Sequence, residues 1–239
     1  MCYILFLGHS SDVNRKVRTL AIRAIVFDIG GVLEIAPRTG WDAKWEADLQ
    51  LKPGELTERL RTIWKAGSVG TITIEEVEKS TGEILGLDRP QVEAFMRDLW
   101  DEYLGTLNSE LAAYFAGLRS RYKTAILSNS FVGAREQEHE RYGFGDICDL
   151  IIYSHEVGLQ KPDRRIYELT CERLGVQAEE VIFLDDVEAA VSAAREVGIN
   201  GILYKDNTQA IAEIEACVRI QEQESISNKP SHVSGKGPG

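Results

Sequence analysis

The chain has no cysteine pair, no excess of positive charge and no long apolar run. Its four cysteines, Cys2, Cys148, Cys171 and Cys217, are scattered, with no C-x-x-C spacing. That excludes a closely spaced zinc site or a disulfide framework, and it points to a reducing, cytoplasmic setting. Lys and Arg together number 27 against 38 Asp and Glu, a net charge of -11. Such a balance lacks the basic face that phosphate-backbone binding requires, so no nucleic-acid partner is expected. Mean hydropathy is -0.19, and no stretch approaches the roughly 20 apolar residues of a membrane helix, so no membrane partner is expected. No Walker motif or G-x-S-x-G elbow occurs, and Gly143-Phe144-Gly145 lacks the third glycine of a dinucleotide-binding turn.

What is present is an ordinary globular composition, 239 residues with 44% hydrophobic and 27% charged, enough for one large or two modest domains. Ala24 to Phe27 (AIVF) is a short apolar run that breaks into Asp28-Ile29-Gly30-Gly31, as a buried strand entering a loop does. Thr124 to Leu127, Leu150 to Tyr153, Val181 to Leu184 and Ile202 to Tyr204 have the same character. Helical patterns alternate with them over 109–121, 134–142, 162–174, 187–197 and 208–220. This predicts an α/β fold, a Rossmann-like parallel sheet with helices on both faces.

Residues 36–108 interrupt the alternation with purely helical stripes. Trp41, Trp45 and Leu49 form one, Leu56, Leu60, Ile63 and Trp64 another, and Val92, Phe95, Met96, Leu99 and Trp100 a third. Thr73 to Glu76 reads as a capping box opening a fourth helix, and Pro90 suits the first turn of the helix after it. All four tryptophans fall here and are expected to be core anchors. The predicted organisation is a flexible extension over 1–21, a catalytic core over 22–35 and 109–220, an inserted all-helical cap domain over 36–108, and a disordered tail over 221–239, which is rich in Ser, Gly and Pro.

The chemistry-bearing residues fall at strand ends or helix starts: Asp28, Ser128 with Asn129, Lys161, and Asp185 with Asp186. In an open parallel sheet those ends share one edge, so residues far apart in sequence converge there. Carboxylates gathered together stay ionised only with a cation between them, which implies a hard ion such as Mg²⁺ and hence affinity for phosphate. Lys161 adds a compact positive charge, and Ser128 with nearby N–H groups can donate to the same anion. Asp28, beside glycines that admit a ligand, is placed to attack phosphorus and carry an aspartyl-phosphate that water later hydrolyses.

Four segments carry a resemblance: Ala24 to Leu33 (AIVFDIGGVL), Ile126 to Ser130 (ILSNS), Ser154 to Tyr167 (SHEVGLQKPDRRIY) and Val181 to Ala194 (VIFLDDVEAAVSAA). In order and spacing they resemble the motifs of the haloacid dehalogenase superfamily, in its phosphatase-type branch with a helical cap. The resemblance implies that Asp28 is the nucleophile, that Ser128, Asn129 and Lys161 bind the phosphate, and that Lys161 neutralises it. It also implies that Asp28, Asp185, Asp186 and the carbonyl of Gly30 hold Mg²⁺, with the cap selecting a small phosphorylated metabolite.

The chain departs from that pattern at Gly30, where similar phosphatases carry an aspartate acting as general acid and base. Loss of such a group costs about 10²- to 10⁴-fold. Either the substrate has a good leaving group, or another acid substitutes, or the protein mainly binds. Glu34 is a candidate substitute, although an exposed glutamate at a cap hinge accounts for it more simply. Ala190 leaves no further carboxylate one turn beyond the acidic pair, and Arg164 replaces a common proline. His155 reads as a strand-end histidine satisfied by backbone, and His139 as part of a solvated helix with Glu136, Glu138 and Glu140. Two alternatives to a phosphatase are a carbon-halogen hydrolase using the same nucleophile and a phospho-ligand-binding regulatory protein.

Overall fold

A computed structural model describes residues 21–227. The expected extension lies outside them except for its last residue, as does everything beyond 227. The first strand, β1 (Ala24–Phe27), leads through a short ribbon strand β2 (Glu34–Ile35) into four helices, α1 (Trp41–Asp48), α2 (Glu55–Ser68), α3 (Ile74–Leu85) and α4 (Arg89–Leu104). The chain returns by β3 (Thr106–Leu107) to α5 (Ser109–Leu118) and β4 (Lys123–Ser128). It then alternates through α6 (Ala134–Tyr142), α7 (Phe144–Ile147), β5 (Leu150–Tyr153), α8 (Ser154–Val157), α9 (Arg164–Leu174), β6 (Val181–Asp185), α10 (Glu188–Glu196), β7 (Asn200–Leu203) and α11 (Asn207–Ser227).

Among the described residues the main sheet is parallel and ordered β5-β4-β1-β6-β7. The central strand is thus the one that Asp28 follows, and its neighbours end in Ser128 and Asp185. Side chains alternate across a strand, and both faces here are apolar. Ile25, Phe27, Ile126, Ile182 and Leu184 face one layer with Leu111, Phe115, Ile214 and Val218 from α5 and α11. Ala24, Val26, Ala125, Leu127, Val181 and Phe183 face the other with Ile166, Tyr167, Leu174, Ala190 and Ala194 from α9 and α10. The predicted Rossmann-like α/β architecture is what forms.

The helices between β2 and β3 make a cap with its own apolar cluster of Trp45, Leu56, Leu60, Val77, Phe95 and Trp100. Trp41 and Trp45 meet Phe95 edge-on at 5.3 and 5.2 Å between ring centroids. The tryptophans pack as expected. The capping box at Thr73 and Glu76 forms, and Asp88 with Gln91 makes a second one around Pro90. The cap joins the sheet layer through the two-stranded ribbon of β2 and β3. At its base Gly105 has φ +59 and a Cβ there would lie 2.4 Å from the Ile35 carbonyl oxygen, so only glycine fits. A further tie runs from the C-terminus of α2: Val132 N–H donates to Gly67 O at 3.2 Å, and Ser154 Oγ and Gln160 Nε2 donate to Ser68 O at 3.1 and 3.2 Å. The helix's last carbonyls, which have no partner inside the helix, are thereby satisfied by the loops beside β4 and β5.

Some boundaries differ from expectation. Helix α11 continues to Ser227, so the tail boundary placed at 221 falls inside a helix. Pro162 precedes α9 rather than opening it, because Asp163 is the N-cap and accepts from Arg165 N–H at 2.9 Å. The ribbon of β2 and β3 was not expected, since two residues show no period. No helix among the described residues is long and apolar enough to cross a membrane. Cys148 and Cys171 are free, buried thiols.

Candidate active site

Parallel pairing sets the site. The register of β1 with β4 and β6 aligns Phe27 with Ile126 and with Leu184, so the residues that follow leave the sheet side by side. Asp28 N–H donates to Leu184 O at 2.9 Å, which continues the ladder one residue past the strand. Ser128 ends β4 and Asp185 ends β6, both buried. Lys161 arrives from the loop between α8 and α9, and its Nζ lies 2.7 Å from Asp28 Oδ1 and 2.7 Å from Asp185 Oδ2. One buried ammonium thus bridges two buried carboxylates, the arrangement that keeps like charges together away from water.

Asp28 Oδ1 also accepts the Ile29 N–H at 2.7 Å, which leaves Oδ2 as the oxygen free of these bonds. Burial pushes the Asp28 carboxyl up to about 7, with Lys161 opposing and Asp185 adding to the rise. Asp185 Oδ1 accepts the Val187 N–H at 2.7 Å, which fixes its orientation at the approach to α10. Asp186 is exposed, and burial of part of its side chain followed by the Asp185 charge raises its carboxyl. One oxygen from each of Asp28, Asp185 and Asp186 lies within 4.8 Å of the others. Asp186 leans over the loop after β1 so closely that a Cβ on Gly31 would sit 2.1 Å from its Oδ2, at a φ of +73. The glycine is therefore what admits the third carboxylate. Three hard oxygen donors in that space fit a divalent cation. A Cβ on Gly30 would meet nothing within 4 Å.

Asn129, expected at the phosphate, has its side-chain amide on the backbone of Lys161. Nδ2 donates to Lys161 O at 2.9 Å and Oδ1 accepts from Lys161 N–H at 2.8 Å. The pair of bonds fixes the backbone at Lys161. Ser128 Oγ has only a long contact, 3.4 Å to Asn129 O. His155 is not satisfied by backbone: its Nδ1 lies 2.7 Å from Ser130 Oγ, while Ser130 N–H donates to Ser154 Oγ at 2.9 Å. Burial lowers its pKa.

Two further acids were misread. Glu34, expected exposed at the hinge, is 2% exposed on β2. Glu138, expected on a solvated helix, is 0% exposed. Its neighbours one turn away, Ala134 and Tyr142, would have marked that face through i, i+4 spacing. Glu138 Oε2 accepts the Tyr153 hydroxyl, while Oε1 of Glu138 and Oε1 of Glu34 have no hydrogen-bond partner among the described residues. Burial, then the charges of Glu138 and Asp28, push Glu34 up to about 9. Burial pushes Glu138 to about 7, against the Tyr153 hydrogen bond and with the Asp28 charge adding to the rise.

The sequence pattern of haloacid dehalogenase-like hydrolases matches residues 22–198. The chain belongs to that family. This haloacid dehalogenase-like hydrolase is 30% identical over 223 residues to the bifunctional epoxide hydrolase 2 of Sus scrofa, a match covering 84% of this chain and 40% of the pig protein. It thus spans well under half of that relative. It is 26% identical over 203 residues to a phosphatase of Mycobacterium tuberculosis, covering 80% of this chain and 90% of the other. A family enzyme of Bacteroides thetaiotaomicron, solved in complex with magnesium and inorganic phosphate, shares the fold with a TM-score of 0.67 at 23% identity, over 77% of this chain and 95% of that one.

Proposed function

We propose that this hydrolase is a divalent-cation-dependent phosphomonoesterase that removes phosphate from a small phosphorylated metabolite. The convergence of Asp28, Asp185 and Asp186 within 4.8 Å, beside a lysine that already neutralises two of them, carries the reading. The mycobacterial relative named as a phosphatase and the magnesium and phosphate held by the Bacteroides enzyme support it. Displacement of halide from carbon requires no metal and leaves Asp186 without a task.

Asp28 attacks phosphorus through Oδ2, the oxygen that Lys161 and Ile29 leave free. The phosphorus–oxygen bond to the leaving group breaks, and the phosphoryl group is carried on the aspartate until water displaces it. Lys161, held by Asn129, neutralises charge on the nucleophile and on the phosphoryl oxygens. Ser128 and the N–H groups of the loops after β1 and β4 donate to the same oxygens. Mg²⁺ held by Asp28, Asp185, Asp186 and the Gly30 carbonyl would supply further positive charge there. Since Gly30 offers no carboxyl to protonate the leaving group, a group that departs without much protonation, such as an anomeric or aryl oxygen, is favoured. The test is hydrolysis of p-nitrophenyl phosphate with and without a chelator. Activity lost on chelation and restored by Mg²⁺ is expected, and activity indifferent to chelation contradicts the reading.

A further inference from the structure

One backbone carbonyl of the cap meets both of the loops that carry Ser128 and Lys161. Ser68 O, at the C-terminus of α2, accepts from Ser154 Oγ at 3.1 Å and from Gln160 Nε2 at 3.2 Å. Ser154 is buried and accepts the Ser130 N–H at 2.9 Å, and Ser130 lies just beyond Ser128 on the loop after β4. Gln160 immediately precedes Lys161. The two loops are also bonded to each other, through the Asn129 side chain and the Lys161 backbone at 2.9 and 2.8 Å. Hydrogen bonds and adjacent residues therefore close a ring that runs from Ser68 to Ser154, Ser130, Asn129, Lys161, Gln160 and back to Ser68. Only Ser68 in that ring belongs to the cap.

The last carbonyls of a helix need donors from outside it, which accounts for the bonds on Ser68 O. It does not account for both donors coming from the loops of the site. A hydroxyl has one proton to give, and of the two carbonyls within reach of Ser154 the cap's is nearer, 3.1 Å against 3.4 Å to Ser130 O. The same helix end is seated closely. A Cβ on Gly70, just past it, would lie 1.7 Å from His155 O, and Val132 N–H donates to Gly67 O at 3.2 Å.

We propose that Ser154 and Gln160 are positioning residues through which the cap holds Ser128 and Lys161 in place, so that the site has its working geometry only while the end of α2 is seated. The effect on rate rests on the phosphatase reading above. A shift of about 1 Å in a positioned group can cost about 10²-fold. Groups that act on the transition state more than on the bound ester show that loss in kcat rather than in KM.

Two variants test this, each checked for folding by thermal melting. Gly70→Ala drives a methyl into the His155 backbone and unseats the helix end from the cap side. Gln160→Met removes one donor to Ser68 O at nearly constant volume. In each, kcat for p-nitrophenyl phosphate should fall about tenfold with KM unchanged within about twofold. Amide exchange should quicken in peptides over 129–132 and 158–163, while the β6 peptide over 181–185 keeps its protection; a loss of global stability alone would quicken β6 as well. Gln160→Met decides the matter if Gly70→Ala does not fold. Unchanged exchange over 129–132 in that variant, across the ring from the substitution, overturns the inference, and so does an unchanged kcat in a variant whose exchange has risen. Exchange that responds in a protein whose turnover is indifferent to Asp28→Asn overturns the phosphatase reading alone.

Discussion

Two sets of buried acids in this molecule are built in opposite ways. At the sheet edge, Asp28 and Asp185 share Lys161 at 2.7 Å each; a backbone N–H reaches the same oxygen of Asp28 and the other oxygen of Asp185. At the cap junction, Glu34 and Glu138 make no ion pair with the described residues, and one oxygen of each has no hydrogen-bond partner among them. The first is a compensated cluster, in which removing the cation is the damaging change. The second is uncompensated, and burial holds its carboxyls towards their neutral forms.

The largest effect that separates them is Lys161→Met. It leaves two buried carboxylates facing each other and should destabilise the fold by about 3–5 kcal/mol, read by urea denaturation in the presence of a chelator. A loss below about 1 kcal/mol would mean that the pair is solvated and the contrast false.

Next in size is a change that adds a carboxyl where the sheet-edge cluster lacks one. Gly30→Asp meets no steric obstacle at Cβ, and it should raise turnover of unactivated alkyl phosphates about 10²-fold while changing aryl phosphates much less. Equal gains on both classes would show that leaving-group protonation was not what the glycine cost.

The smallest effect, taken per pH unit, is a slope. Glu34 titrates near 9 when folded and near 4.5 when unfolded, so the folded state holds a proton that the unfolded chain has lost between those values. Its contribution is full below about pH 4.5 and disappears as pH rises through about 9. Stability should fall across that window, by up to about 1.4 kcal/mol per pH unit for one titrating group. Glu34→Gln should flatten the slope, and an unchanged urea midpoint profile in that variant contradicts the burial of the acid.

The same contrast explains what could be read from the chain alone. Asp28, Ser128, Lys161 and Asp185 follow apolar runs or precede a helix, and a parallel sheet necessarily brings strand ends together, so this cluster was legible. The cap helices were legible because their tryptophan and leucine stripes repeat over several turns. The bond from Asn129 to a backbone 32 positions away is one that no local pattern records. Glu34 lies on a two-residue ribbon with no period, paired with Leu107 from beyond the cap. Glu138 sits among charges that mask the short Ala134, Glu138, Tyr142 face. Tertiary contacts between discontinuous pieces decide all three.

The account stands or falls on Asp28 carrying the phosphoryl group. Acid quenching during turnover of p-nitrophenyl phosphate, borohydride reduction and peptide mass analysis would locate an acyl phosphate directly. Reduction at Asp28, in the peptide spanning the loop after β1, is the result expected. Steady turnover with Asp28 left unreduced, or with another carboxylate reduced in its place, would contradict it.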